Sequence, residues 1–465
     1  MSEETTTAAG GGAVVLAPAE RGPAAVELPL ARRLGEWLAG MTSVPLPGEL
    51  AAKASDHLLD TLGAIAAGIG EPPARAAAEV FGRPGNVPQG GVVGLWHNRA
   101  TSDRLDAAFV NGVAAHCLEI DDTEGCDHSG AVVVPVLLSL LPEASGASRL
   151  LPALVAGYEV GRRVQLALGG YEPHNARGWH STATCGVFAA AAAASVMLGL
   201  DGERTASALG LAASSSSGGW AFSADGAMSK QFHPGQAARA GLEAALLARA
   251  GARGPWQVFD PVWGGFFATH GDDAAMPDLL VRDLGSTWHF RHSAIKPYAA
   301  CRSAHTALDA FRGILAERNL GPQDVRAVRV HVSDFLRPMI CPPEPGDAAQ
   351  ARMSLPHALA LLLDGKELVP QDFARFDAPE VLAGLELITV VPDPVAGREP
   401  LVDVVTEAGT FSARVEHARG GERFPLSPAE VDAKFRGLTA GLLERAHQDE
   451  WIAWARSFSS QCGVT

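Results

Sequence analysis

The sequence lacks basic clusters: its 465 residues contain no run of lysine or arginine, and the formal net charge at pH 7 is −15. Proteins that bind nucleic acid usually present a basic face, and anionic membrane surfaces attract clustered lysine and arginine. Neither nucleic acid nor a membrane is therefore an expected partner. The six cysteines are scattered without a CxxC pair, which is typical of reduced thiols and predicts a cytoplasmic protein.

Several catalytic signatures are also absent. The sequence has no HExxH, no P-loop, no GxGxxG between a strand and a helix, and no GxSxG elbow, so no metal or nucleotide cofactor is predicted. The N-terminus is acidic and lacks the positive start of a signal peptide, and residues 1–24 are expected to form a disordered tail. The longest apolar run, residues 183–200, is rich in alanine and predicts a buried helix rather than a membrane span.

What the sequence does contain is helical periodicity. Apolar residues repeat at intervals of three and four through residues 25–284, which predicts an all-helical domain. Between residues 285 and 422 the pattern changes, because apolar and polar residues alternate around Val330 and three further strand candidates follow. Residues 423–465 return to helix and are expected to pack back on the first domain. The predicted fold is mainly α, a large all-helical domain with a smaller α+β domain.

The densest polar stretch is EIDDTEGCDHS, which runs from Glu119 to Ser129. Such a stretch could bind a divalent metal, supply an acid/base pair to an organic substrate, or form an ordinary solvated loop. His116 and Glu119 are three residues apart at the end of a predicted helix and can share one face of it. Because His116 lies on the apolar stripe of that helix, we interpret it as a hydrogen-bonded core histidine.

Three further polar clusters interrupt apolar sequence near predicted helix starts. They contain His180; Lys230 and His233; and Lys296, Tyr298, Arg302 and His305. Each cluster alone also fits a helix cap or a surface lysine. Together they indicate an anion site, because helix N-termini are electropositive and the cations stand out against the acidic net charge. Lysines compete electrostatically with a bound cation, so a small anionic organic substrate is favoured over a metal.

At these places the sequence resembles the MmgE/PrpD family, which includes 2-methylcitrate dehydratases, cis-aconitate decarboxylases and iminodisuccinate epimerases. The matching motifs extend over about 400 residues in the same order. They are Asn111-Gly112, His116 and LEIDDTEGCDHSG; Gly178 to Leu200; Asp225 to Pro255; Ile295 to Ala310; and ARMSLPHALALLLDG. The resemblance implies a large helical domain, a smaller α+β lid domain, an active site between them, no metal or nucleotide, and usually a homodimer.

The resemblance also assigns site residues, one position at a time. The family's active-site aspartate falls on Glu119, its threonine on Thr123, its loop histidine on His128, its helix-start histidine on His180, its two lysines on Lys230 and Lys296, and its frequent tyrosine on His357. This sequence departs from the pattern in three ways. Glu119 is one methylene longer than aspartate, the loop from Thr123 to His128 is shorter and carries Cys126-Asp127, and His357 replaces a phenol.

The resulting hypothesis is a lyase, either a dehydratase or a decarboxylase, that acts beside a carboxylate of a small di- or tricarboxylic acid. An epimerase or isomerase using the same site and a non-catalytic ligand-binding protein are the alternatives. His180, with His128 or Glu119 as partner, is the expected acid/base group, because the reference pKa of histidine lies near working pH. Lys230 and Lys296 complete the catalytic set. The expected substrate-binding residues are Asp122, Thr123, His233, Tyr298, Arg302 and His357.

Overall fold

The computed structural model describes residues 27–81, 83–84, 99–100, 103–141, 147–342, 345–395 and 397–462. The tail predicted at residues 1–24 lies outside these ranges. The described residues before 284 form α1 (Leu30–Gly40), α2 (Gly48–Gly68), α3 (Pro72–Phe81), α4 (Arg104–His116), α5 (Ser129–Leu140), α6 (Leu150–Ala167), α7 (Tyr171–Ala176), α8 (Ser181–Thr184), α9 (Gly186–Leu198), α10 (Gly202–Ala213), α11 (Ser229–Arg249) and α12 (Phe266–His270). A two-residue antiparallel ladder, β1 (Arg83–Pro84) with β2 (Arg99–Ala100), interrupts them. The helical periodicity did not predict this ladder.

The later part of the chain mixes helices with a four-stranded sheet. Its elements are α13 (His305–Arg318), β3 (Ala327–Val332), α14 (Arg337–Ile340), α15 (Ala348–Arg352), α16 (Leu355–Leu363), α17 (Pro379–Glu386), β4 (Ile388–Pro392), β5 (Leu401–Thr406), β6 (Gly409–Ala413), α18 (Pro428–Leu438) and α19 (Arg445–Cys462). The strand order is β4-β3-β5-β6. Strand β3 runs parallel to β4 and antiparallel to β5, and Val330 is paired with Val390 on one side and Val402 on the other.

The prediction of a mainly α fold with a small sheet is confirmed by these elements. The alternation around Val330 does form a strand, and its valines face inward: Val328, Val330 and Val332 are fully buried. Strands β5 and β6 form a hairpin, and β6 begins at Gly409. The φ of Gly409 is 132°, a backbone angle that glycine adopts readily because it has no side chain. The division into a body and a lid at the stated boundaries stays a prediction.

Helix α9 lies at the centre of the first hydrophobic core. Its six consecutive alanines, 189–194, are fully buried, and α6, α10 and α11 pack around it. The stretch Ser181–Leu198 is long and apolar enough to cross a membrane by length and composition, but 94% of it is buried inside the protein. This burial agrees with the predicted core helix.

A second core joins the sheet to the helices that precede the polar loop. It brings Val328 and Leu359 together with Ile65 of α2 and Val110 of α4. The C-terminal helices α18 and α19 return to α2, where Phe435 is buried in the first core. The loop between α4 and α5 therefore lies where both cores meet.

Candidate active site

The loop between α4 and α5 has an unusual backbone. Glu119, Glu124 and Asp127 have φ values of 52°, 61° and 87°, a left-handed conformation that is uncommon for residues with a side chain. Strained backbone of this kind persists where the surroundings fix it, and it clusters at functional sites. Two backbone hydrogen bonds between Thr123 and Ala294, both 2.8 Å, hold the loop in place. They position the loop beside Lys296.

Helix α11 reaches this loop because it crosses α4 at close range. A Cβ added to Gly112 of α4 would lie 2.8 Å from the Cα of Gly235 on α11, and one added to Gly235 would lie 2.5 Å from the carbonyl oxygen of Phe109. The backbones of α4 and α11 can approach so closely because both residues at the crossing are glycines. The crossing brings Lys230, in the first turn of α11, against His116 at the end of α4.

Glu119 joins the two lysines, although the three residues are far apart in sequence. Lys230 donates a hydrogen bond to Oε1 of Glu119, and the Nζ of Lys296 lies 3.3 Å from Oε2. All three residues are at most 4% exposed. Burial alone would raise the pKa of Glu119, but Lys230 and Lys296 outweigh burial and hold that pKa well below its usual value. The carboxylate is therefore ionised at neutral pH.

A chain of hydrogen bonds continues from Lys230 into the loop. Its Nζ lies 2.8 Å from Nε2 of His116, and Nδ1 of His116 lies 2.9 Å from Oδ2 of Asp121. Nδ1 of His128 lies 3.1 Å from the same oxygen. Burial lowers the pKa of His116 to about 4, whereas Asp121 and Asp127 outweigh burial and raise the pKa of His128 above its usual value.

His180 is the N-cap residue of the short helix α8 and is fully buried. Its Nδ1 lies 2.8 Å from Nδ1 of His233, and its Nε2 is buried without a hydrogen bond, 3.6 Å from Oδ2 of Asp127. Burial, reinforced by the nearby His233 and Lys230, lowers the pKa of His180 well below its usual value. His180 and His128, whose ring centres are 6.4 Å apart, therefore favour opposite protonation states.

A cavity of about 450 Å³ borders this cluster at Thr123 and Asp127. Its wall also includes Arg302, which pairs with Glu124 at 2.8 Å. The cavity gives a small organic acid access to the polar loop, and the buried groups behind that loop supply charge and protons. The structure brings seven of the predicted site residues together around this loop: Glu119, Thr123, His128, His180, Lys230, His233 and Lys296.

Three predicted substrate-binding residues have contacts elsewhere. The carboxylate of Asp122 accepts a hydrogen bond from the amide of Gly130 at 2.8 Å and lies 3.1 Å from Nδ1 of His57, so it is used inside the fold. Tyr298 donates to Asp309 at 2.6 Å and is buried in the second core. His357 contacts Ser354, the N-cap of its own helix.

Two residues in the cluster were not predicted to belong there. His116 was interpreted as a core histidine, and it is indeed buried, but it links Lys230 to Asp121. Asp121 also lies 3.8 Å from Lys296. The spacing of His116 to Glu119 was the available signal, because residues three apart on a helix share a face. The partners that give both residues a role come from distant segments.

Two sets of side chains have the proximity that a metal ion would need. They are His116, Asp121 and His128, and Asp127, His128 and His180. In the first set, Nε2 of His116 is already paired with Lys230 and Asp121 lies beside Lys296. Ammonium groups at these positions oppose a bound cation, so this donor set fits a metal poorly.

Comparison with known proteins gives a consistent result along the whole chain. The profile of the MmgE/PrpD N-terminal domain matches residues 32–277, and that of the MmgE/PrpD C-terminal domain matches residues 298–459. Human cis-aconitate decarboxylase is 32% identical over 72% of this chain and 73% of its own length. The cis-aconitate decarboxylase-like protein oryM of Aspergillus oryzae is 28% identical over 88% of this chain and 90% of its own length. Cis-aconitate decarboxylase of Aspergillus terreus is 31% identical over 58% and 59% respectively.

Proposed function

The chain belongs to the MmgE/PrpD family of enzymes, and from this premise we propose that it is a lyase that removes carbon dioxide from a small tricarboxylic acid such as cis-aconitate. Decarboxylation is preferred over dehydration because the relatives described above are named cis-aconitate decarboxylases or likened to them. The observation that carries the proposal is the pair of histidines with opposed protonation beside two buried lysines. We further propose that the enzyme is a homodimer, as the family resemblance implies, and that it is cytoplasmic, as the scattered cysteines indicate.

The chemistry requires a developing negative charge to be stabilised. Loss of carbon dioxide beside a second carboxylate leaves an enediolate-like carbanion, and preorganised cations or donors lower the energy of such a charge. The two ammonium groups of Lys230 and Lys296 are fixed near the loop by Glu119. They supply this field without reorganising during the reaction.

Opposed pKa shifts suggest separate roles for the two histidines. His128, whose pKa Asp121 and Asp127 raise against burial, is the better proton carrier of the two and delivers a proton to the carbanion. Decarboxylation takes no proton from the substrate, so His180, whose pKa burial lowers, relays a proton from solvent to His128 and restores the donor after each turnover. We assign His180 as the general acid/base and His128 as its partner, with His233 orienting the His180 ring through the Nδ1 contact.

No metal has a part in this scheme. We expect prolonged treatment with a chelator to leave turnover unchanged, because the ammonium groups beside His116 and Asp121 oppose a cation. Loss of turnover on chelation that a divalent metal restores would refute the scheme. The matched control is the same treatment of a known zinc enzyme in parallel.

An epimerase remains the second candidate, because two histidines with opposed protonation could also exchange a proton at one carbon. The two are separated by proton NMR of cis-aconitate, citrate, 2-methylcitrate and iminodisuccinate in deuterated buffer. Carbon dioxide release with one deuteron in the product supports the proposal, whereas release or uptake of water indicates a dehydratase. Deuterium exchange without either loss indicates an epimerase. Binding without any exchange indicates a non-catalytic protein.

A further inference from the structure

The two lysines can stabilise charge locally at the reacting carbon, but two nearby carboxylates leave the cluster with no net positive charge. Lys230 and Lys296 share the carboxylate of Glu119, and Asp121 lies 3.8 Å from Lys296. Two buried ammonium groups therefore face two buried carboxylates, and their formal charges cancel. A substrate with two or three carboxylates needs further positive charge, because an anion moved from water into a cavity loses its hydration.

The wall of the cavity beside the cluster mixes four arginines with five carboxylates, so the arginines that matter are those without a carboxylate partner. Arg162 and Arg398 both line it, together with Thr123 and Asp127. Among the described residues, no carboxylate oxygen lies within 4.0 Å of either guanidinium. Arg398 lies over the ring of Tyr171 at 4.9 Å. Burial lowers the pKa of Arg162, the Glu124 carboxylate opposes burial, and the Arg398 guanidinium adds to the lowering.

The neighbouring residue on α6 provides a contrast. Arg163 is fully buried and satisfied: it pairs with Glu159 at 2.7 Å and donates to the carbonyls of Arg282 and Thr287 at 2.6 and 2.9 Å. Arg162 instead contacts Gln165 of its own helix, and its Nε is buried with no hydrogen bond. Arg162 is therefore less fully paired than Arg163, and its side chain lines the cavity, where a ligand can add hydrogen bonds.

We propose that Arg162 and Arg398 form a second carboxylate subsite in the cavity, outside the cluster that carries the chemistry. This subsite rests on the proposed function and deepens it. It binds the central carboxylate of a tricarboxylic acid, because a guanidinium presents paired N–H groups that match a carboxylate. The enzyme should therefore prefer acids with three carboxylates to acids of the same length with two.

The test compares two unreactive acids that share a propane backbone: propane-1,2,3-tricarboxylate and glutarate, which lacks the central carboxylate. Binding is measured by titration calorimetry with wild type, Arg162→Gln and Arg398→Gln. Charge-assisted hydrogen bonds are worth enough that each substitution should weaken tricarboxylate binding about 10- to 100-fold. Glutarate binding should change less than about threefold, because each variant removes a group that the third carboxylate alone engages.

Controls separate the subsite from general electrostatics. Arg326→Gln removes the same charge from an exposed arginine that pairs with Glu407, and it should leave both affinities unchanged. Arg162→Lys should recover part of the tricarboxylate affinity, because it keeps the charge but loses the paired donors. Arg398 is exposed, so Arg398→Gln tests the subsite even if the more buried Arg162 variants fold poorly.

Two outcomes overturn the subsite: equal affinity of wild type for both acids, or an equal loss of both affinities in the variants. These outcomes are independent of turnover. If no acid is decarboxylated but the variants selectively lose tricarboxylate binding, the subsite stands and the proposed reaction falls. If decarboxylation occurs and the variants keep their selectivity, the reaction stands and the subsite falls.

Discussion

Replacing Lys296 with methionine tests whether the buried charges of the site hold one another in place. The side chain is 0% exposed, and its Nζ lies 3.3 Å from Glu119 and 3.8 Å from Asp121. Methionine has a similar length and removes only the charge. Removing one partner of a buried ion pair leaves an uncompensated charge, which costs about 3–5 kcal/mol in the free energy of unfolding.

The assay is urea denaturation at pH 7, followed by tryptophan fluorescence. Adding Glu119→Gln to Lys296→Met should recover part of the loss, because the neutral amide no longer needs a cation. The control is Arg326→Ala, which breaks an exposed pair whose side chains are 53% and 81% exposed and should cost less than about 1 kcal/mol. A Lys296→Met protein within about 1 kcal/mol of wild type would refute the reasoning, since buried pairs rarely cost so little to break.

Three further predictions follow from the same geometry. His180→Ala should lower kcat at least about 100-fold with little change in KM, because general acid/base catalysis is worth that much; near-normal turnover would identify a different base. His116 has a pKa of about 4 in the fold against about 6.5 unfolded, so its contribution of up to about 3 kcal/mol should be present above pH 6.5 and lost as pH falls towards 4. In urea titrations from pH 4.5 to 7.5, His116→Gln should flatten this dependence, and an unchanged slope would contradict it. Gly112→Ala should destabilise by about 1–3 kcal/mol, because its Cβ would lie 2.8 Å from Gly235. By contrast Gly313→Ala, on a helix with nothing within 4 Å, should be neutral or stabilising.

Sequence periodicity predicted the helices and the main sheet but not the β1–β2 ladder, because it reports which face of an element is buried. The apolar repeat predicted through residues 25–284 corresponds to helices such as α2, Gly48–Gly68. The clusters around Glu119, His180, Lys230 and Lys296 were identified as interruptions of apolar sequence and matched to family motifs. Their convergence depends on long-range packing, such as the glycine crossing of α4 and α11, which no single segment encodes.

The sequence alone did not predict which side chains pair with one another. Asp122 was expected to face substrate, but its carboxylate is paired with His57, 65 residues away. Arg162 and Arg163 are adjacent arginines on one helix, yet one is saturated by Glu159 and the other lines the cavity. Adjacent side chains on a helix point in directions about 100° apart. The segments that pack against α6 decide which of the two arginines lines the cavity.

The most direct measurement is proton NMR of the proposed tricarboxylic substrate in deuterated buffer, with wild type and His180→Ala compared at equal concentration. Wild type should release carbon dioxide and incorporate one solvent deuteron into the product. His180→Ala should bind the acid with similar affinity and turn it over at least about 100-fold more slowly. Equal rates for the two proteins, or substrate that wild type binds without loss or exchange, would contradict the account.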